Sequence, residues 1–129
     1  MKRFVLSLCL LSALFLAGCW QKDVGRSYYP SGKIRTEATV RNGLLDGPAT
    51  MYYESGAKMS EANYQAGMLD GKTIAYYESG SKKAEAEYET GVLHGTSVNW
   101  SEDGKPQDVS AFIHGVLQKE ELPLPGKMR

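Results

Sequence analysis

Cysteine is nearly absent from this 129-residue chain: Cys9 and Cys19 both fall in the first nineteen residues, so the body has no thiol for a disulfide framework or a zinc site. Net charge is absent as well, with 15 basic groups against 15 acidic ones, which removes the basic face that nucleic-acid binding needs to displace counterions. The apolar run from Phe4 to Ala17 has fourteen residues, short of the roughly 20 that a membrane-spanning helix takes. Phe and Trp are scarce, at 3 and 2, and the length leaves room for one small domain, which excludes a multidomain enzyme. In excess are Gly, at 14, and Tyr, at 8. That combination indicates tight turns joined by short aromatic-bearing strands, and hence an all-β chain.

Lys2 and Arg3 precede the uncharged stretch FVLSLCLLSALFLA, and the pattern reads as a signal peptide over residues 1–18. Leu16-Ala17-Gly18-Cys19 follows directly. It resembles the lipobox of bacterial lipoproteins, in which an apolar residue and two small residues fit a peptidase groove and the cysteine thiol takes a diacylglycerol. That resemblance implies a mature chain starting at a lipidated Cys19, with no cofactor beyond the covalent lipid. Loss of Lys2 and Arg3 from the 15 basic groups leaves 13 against 15 acidic ones. Acyl chains contribute about 0.8 kcal/mol per buried CH₂, so two or three of them hold a protein at a membrane. Trp20 stands where an aspartate would resemble an inner-membrane retention signal. For a Gram-negative host the expectation is therefore the outer membrane, facing the periplasm.

Residues 19–27 read as a polar, lipid-anchored tether, and residues 28–118 repeat with a period of 24. Gly32, Gly56, Gly80 and Gly104 keep that interval, as do Gly43, Gly67, Gly91 and Gly115. Two glycine columns in register through four copies are a solenoid-like signature. The fourth copy is degenerate, with Val109 where Glu85 would map and Lys119 where a glycine would, as expected of a cap. Residues 119–129 form a tail in which Pro123 and Pro125 blunt the carboxyl end.

Each unit reads as a hairpin. The loops ending at Gly32, Gly56, Gly80 and Gly104 suit a type I turn with glycine at the left-handed bulge position, and loops such as NGLLDG close the other side. Between loops the residues alternate. Thr36, Ala38 and Val40, with Ser60, Ala62 and Tyr64 and then Ala84, Ala86 and Tyr88, fall on one face. Thr50, Tyr52, Ile74, Tyr76, Val98 and Trp100 are expected on that same dry side, under Leu45, Leu69, Leu93 and Leu117, with glutamates and lysines on the wet side. The expected architecture is a single-layer antiparallel β-hairpin meander of seven to nine strands.

The pieces Tyr52 to Gly56, Glu61 to Tyr64 and Gly67 to Gly71, with their counterparts on either side, resemble the bacterial MORN repeat variant over residues 28 to 118. Proteins of this kind are often catalogued as antitoxins of a YwqK-like toxin–antitoxin family, and many carry a lipoprotein signal. The resemblance implies an elongated hairpin sheet acting as a protein-binding or membrane-apposed scaffold, with no catalytic residues to carry over.

The residues themselves offer no reaction. His94 and His114 fall in neighbouring loops at different repeat positions, away from any cysteine, so no metal site is expected. Asp46 and Asp70, aligned with His94, suit a turn role. Glu37, Glu61 and Glu85 could be read as paired carboxylates, but equivalent positions two strands apart are about 10 Å from each other, which favours a solvated charged face. Tyr29, Tyr53 and Tyr77 fall opposite the Tyr52 column by alternation, and tyrosine is enriched in binding surfaces. These tyrosines and glutamates together form the expected binding face. The functional expectation is a non-enzymatic scaffold of the cell envelope that binds a protein partner. The alternatives are an antitoxin or immunity protein, and a structural protein that self-associates through its sheet edges.

Overall fold

The computed structural model describes residues 22–118. The expected signal peptide with Leu16, Ala17 and Gly18, the expected lipid site Cys19 and the stretch 119–129 lie outside the described residues. Within them the chain forms β1 (Asp23–Tyr28), β2 (Ile34–Arg41), β3 (Leu44–Tyr52), β4 (Lys58–Gln65), β5 (Met68–Leu69), β6 (Gly71–Tyr76), β7 (Lys82–Glu89), β8 (Val92–Trp100), β9 (Pro106–Ile113) and β10 (Val116–Gln118). All belong to one antiparallel sheet in chain order, with the short β5 paired to β4 beside β6. β5 and β6 together match β3 of the preceding repeat. The stretch read as a tether is thus partly strand: Asp23–Tyr28 pairs with β2 from Asp23↔Val40 to Tyr28↔Ile34.

Two kinds of turn set the period. On one edge Tyr29, Tyr53, Tyr77 and Ser101 open turns in which the glycine three residues on donates its N–H back to their carbonyls, at 2.9 Å in every copy. On the other edge the turn is two residues long. Asn42-Gly43, Ala66-Gly67, Thr90-Gly91 and His114-Gly115 all have positive φ at both positions, the type I′ geometry whose twist matches that of the flanking strands. Gly67, Gly91 and Gly115 also donate their N–H to the carbonyls of Leu45, Leu69 and Leu93 in the preceding repeat, at 2.7, 2.7 and 2.8 Å.

The short turn corrects the expected division of faces. Leu44 already belongs to β3, so alternation runs from Leu45 to Ala49 and Met51, and places Thr50 and Tyr52 on the opposite side. The pairing reads Glu37↔Thr50↔Glu61↔Ile74↔Glu85↔Val98↔Val109 along one row. The parallel row on the other face reads Gly25↔Ala38↔Ala49↔Ala62. The β-branched residues Thr50, Ile74 and Val98 therefore share a face with the glutamates, and small residues carry the other. Leu45, Leu69 and Leu93 do lie with Val40, Tyr64 and Tyr88, as expected.

A bulge interrupts the ladder after the first three type I′ turns. Between Val40↔Leu45 and Ala38↔Ala49, three residues of β3 face Thr39 alone. Gly47 sits there at φ 126°, and a Cβ on it would stand 3.1 Å from that of Thr39. No second layer covers the sheet among the described residues. Ala38 is the one buried residue in them, at 8% exposure.

Candidate functional site

The glutamate face is built from side chains that neutralise each other, across strands at Arg26–Glu37 and Lys72–Glu85 and along a strand at Lys58–Glu61 and Lys82–Glu85. Arg26 Nε lies 2.6 Å from Glu37, Lys58 Nζ 2.5 Å from Glu61, and Lys72 and Lys82 Nζ 2.6 and 2.8 Å from Glu85. The Tyr76 hydroxyl donates to Glu61 at 2.7 Å. Lys58 and then Tyr76 hold the Glu61 carboxyl below the usual range, and Lys72 followed by Lys82 does the same for Glu85. The hydrogen bond to Glu61 pushes the Tyr76 phenol up to about 12. These glutamates differ in exposure, with side chains 38% exposed at Glu37, 35% at Glu61 and 19% at Glu85. They stand two strands apart along the row. The row between them is filled by Thr50, Ile74 and Val98.

Tyr52, Tyr76 and Trp100 flank this row towards the tyrosine-turn edge, where the Lys82 ammonium stands 5.8 Å from the centre of the Trp100 ring. A shallow depression of about 320 Å³ crosses the middle of the sheet, lined by Pro48, Thr50, Glu61, Asn63, Lys72 and Ile74 among others. The face thus combines aromatic edges, short apolar side chains and internally paired charges. It offers contact area and hydrogen-bonding groups without a strong field of one sign.

Tyr29, Tyr53 and Tyr77 have a different role from the one strand alternation suggests. Each opens a turn beyond the end of a strand, where alternation no longer applies, and each is half-buried. Their hydroxyls donate to the backbone carbonyls of Tyr52, Tyr76 and Trp100 at 2.7, 2.8 and 2.9 Å. Arg35 and Lys83 lie over the rings of Tyr29 and Tyr77 at 6.0 and 5.6 Å. The three tyrosines tie one repeat to the next.

The structure also brings together residues that the sequence reading kept apart. Glu89, His94 and His114 each offer a ligand atom, and these atoms all lie within 4.8 Å of one another. Spacings of 5 and 20 residues follow no compact metal motif. The available signal was the repeat: type I′ turns stack a period apart, so His114 in the fourth copy abuts the corner holding Glu89 and His94 in the third. Asp46 likewise has a partner other than its own backbone, standing 3.7 Å from Arg41.

No curated protein matches the chain. The MORN repeat variant family matches residues 24–42, 45–66 and 69–90. The second and third of these segments begin 24 residues apart, the period at which the type I′ turns recur, and each spans from one such turn to the next. The chain carries three copies of the MORN repeat variant, laid side by side in an all-β antiparallel sheet of hairpins.

Proposed function

We propose that this protein is a lipid-anchored, non-enzymatic scaffold of the bacterial cell envelope, and that it binds a protein partner on the glutamate face. The observation that carries the reading is an uncovered sheet face on which Glu37, Glu61 and Glu85 alternate with Thr50, Ile74 and Val98 beside an aromatic column. Aromatic side chains supply large contact area at low entropic cost, and paired charges at their side give orientation. MORN repeats are commonly protein- or membrane-binding motifs and generally non-enzymatic, which supports the reading. The anchor rests on Leu16-Ala17-Gly18-Cys19 and the run before it.

The test is in-cell photo-crosslinking of the full-length protein from position 74 on the glutamate face, against position 75 on the opposite face. A single protein captured from position 74, and lost on Glu61→Lys, supports the scaffold. If that protein is a toxin encoded beside the gene, the partner is one that an immunity protein neutralises. Equal capture from both positions, or capture of lipid alone, overturns a protein-binding glutamate face. Replacing Cys19 by Ser should release the protein from the membrane fraction, and retention there would overturn the lipid anchor.

One observation favours a second reading, self-association through sheet edges. All six residues of β1 are exposed, and among the described strands β1 pairs with β2 alone. Sedimentation of the full-length protein with and without Val24→Pro distinguishes the two, since a proline there removes a donor from the edge.

A further inference from the structure

We propose that Glu89, His94 and His114 form a binding site for a divalent transition-metal ion, with zinc the best-suited occupant, at the corner where the third and fourth repeats meet. Glu89 ends β7, His94 is the third residue of β8, and His114 opens the type I′ turn between β9 and β10. Glu89 Oε2 lies 3.7 Å from His94 Nδ1, and the two imidazole centres are 5.0 Å apart with their planes tilted by 51°. All three donor atoms fall within 4.8 Å of one another. A tetrahedral zinc ion bound at about 2.0–2.2 Å holds its donors roughly 3.3–3.5 Å apart. Closing the remaining ångström takes small rotations of Glu89 and His114, which are exposed, and of the half-buried His94.

The backbone N–H of His114 lies 3.4 Å from His94 Nδ1. The contact is long for a hydrogen bond, so a metal ion taking the lone pair displaces little. Two imidazoles and a carboxylate are a donor set suited to zinc, and they leave a coordination position open to water or to a group from a partner.

The fold repeats this corner, which supplies an internal comparison. One period earlier the corresponding residues are Gln65, Asp70 and Thr90, lining a depression of about 260 Å³. Two periods earlier they are Arg41, Asp46 and Ala66, where Arg41 and Asp46 form an ion pair. The turn geometry does not call for histidine, because Asn42, Ala66 and Thr90 hold the same positive φ as His114. The same backbone frame therefore carries an ion pair, a corner with a single carboxylate and a set of three metal donors, and the last occurs where both of the chain's histidines fall.

The experiment is a titration of the full-length protein, purified without a histidine tag, first with Co²⁺ and then with Zn²⁺. The expected result is one equivalent of Co²⁺ giving visible absorption bands of a four- or five-coordinate site, displaced by Zn²⁺, with both imidazoles perturbed by nuclear magnetic resonance. His94→Ala and His114→Asn should each weaken binding on the order of tenfold or more, since even an outer-shell partner is worth that much. Asparagine suits the turn at 114, and circular dichroism checks that each variant keeps its sheet. Absence of a saturable cobalt spectrum overturns the proposal. So does binding unchanged in the His94→Ala/His114→Asn double variant, which would assign the ion to other groups. Asp70→Ala, at the corresponding corner of the preceding repeat, should leave binding unaltered; its loss there would also overturn the assignment.

Discussion

Tyr53 donates its hydroxyl to the backbone carbonyl of Tyr76 across 2.8 Å, and so joins the turn of one repeat to the strand end of the next. Tyr29 and Tyr77 make the same bond one repeat before and after. Replacing Tyr53 by Phe keeps the ring and removes the donor, and should cost about 1 kcal/mol. Tyr53→Ala also removes half-buried ring area and should cost about 2 kcal/mol or more. Urea unfolding checks both: the midpoint should fall with the slope unchanged. A midpoint unmoved by Tyr53→Ala would return this tyrosine to the free surface.

The type I′ turns predict a gain. Ala66 holds φ at 49°, a region where asparagine is at home and alanine is strained. Ala66→Asn should stabilise the protein by about 1 kcal/mol, and Asn42→Ala, at φ 52°, should destabilise it by a similar amount. Thermal unfolding midpoints moving in opposite directions are the expected result.

At the bulges, conformation and space act together. Gly47 has φ 126° and Thr39 Cβ at 3.1 Å from where its own Cβ would be, whereas Gly71, at φ 93°, has nothing within 4 Å. Gly71→Ala should therefore cost only the left-handed penalty of about 1 kcal/mol. Gly47→Ala should cost about 2 kcal/mol or more. Equal losses in urea unfolding would show that the approach to Thr39 adds nothing.

Glu61 and Tyr76 give a pH dependence with opposite signs at the two ends. The Glu61 carboxyl is held below its ordinary value of 4.5, so its contribution is present above that value and is lost as pH falls through the lowered one. The Tyr76 phenol is raised from 10.0 to about 12, so its contribution is present below 10.0 and is lost as pH rises through about 12. Glu61→Gln should return the phenol towards its ordinary range. Ultraviolet titration of the tyrosines, with Tyr76→Phe to identify the signal, checks this.

Much of the fold was legible because the repeat exposes its own punctuation. Gly32 and Gly43, echoed every 24 residues, mark both kinds of turn. The alternation of Thr36, Ala38 and Val40 gives a strand its period. Face assignment failed at one step: NGLLDG was read as a six-residue loop, while Asn42-Gly43 alone turns the chain and Leu44 resumes the strand. Missing that resumption moved Thr50, Ile74 and Val98 to the wrong side. The Tyr29, Tyr53 and Tyr77 bonds were hidden for a related reason, since a residue past a strand end follows turn geometry. Contacts such as His94 with His114 depend on which corners adjoin across repeats, and spacing along a single repeat does not show them.

A sheet in which Ala38 alone among the described residues is buried has a thermal consequence. The heat capacity of unfolding tracks the apolar surface newly exposed to water, and little of that surface is withdrawn here in the first place. The increment per residue should fall below the roughly 12–15 cal/mol/K of globular domains. The free energy of unfolding then changes almost linearly with temperature, with its maximum and its cold-unfolding limit moved far below freezing. Such a protein loses stability steadily as it is warmed, at a rate set by its entropy of unfolding.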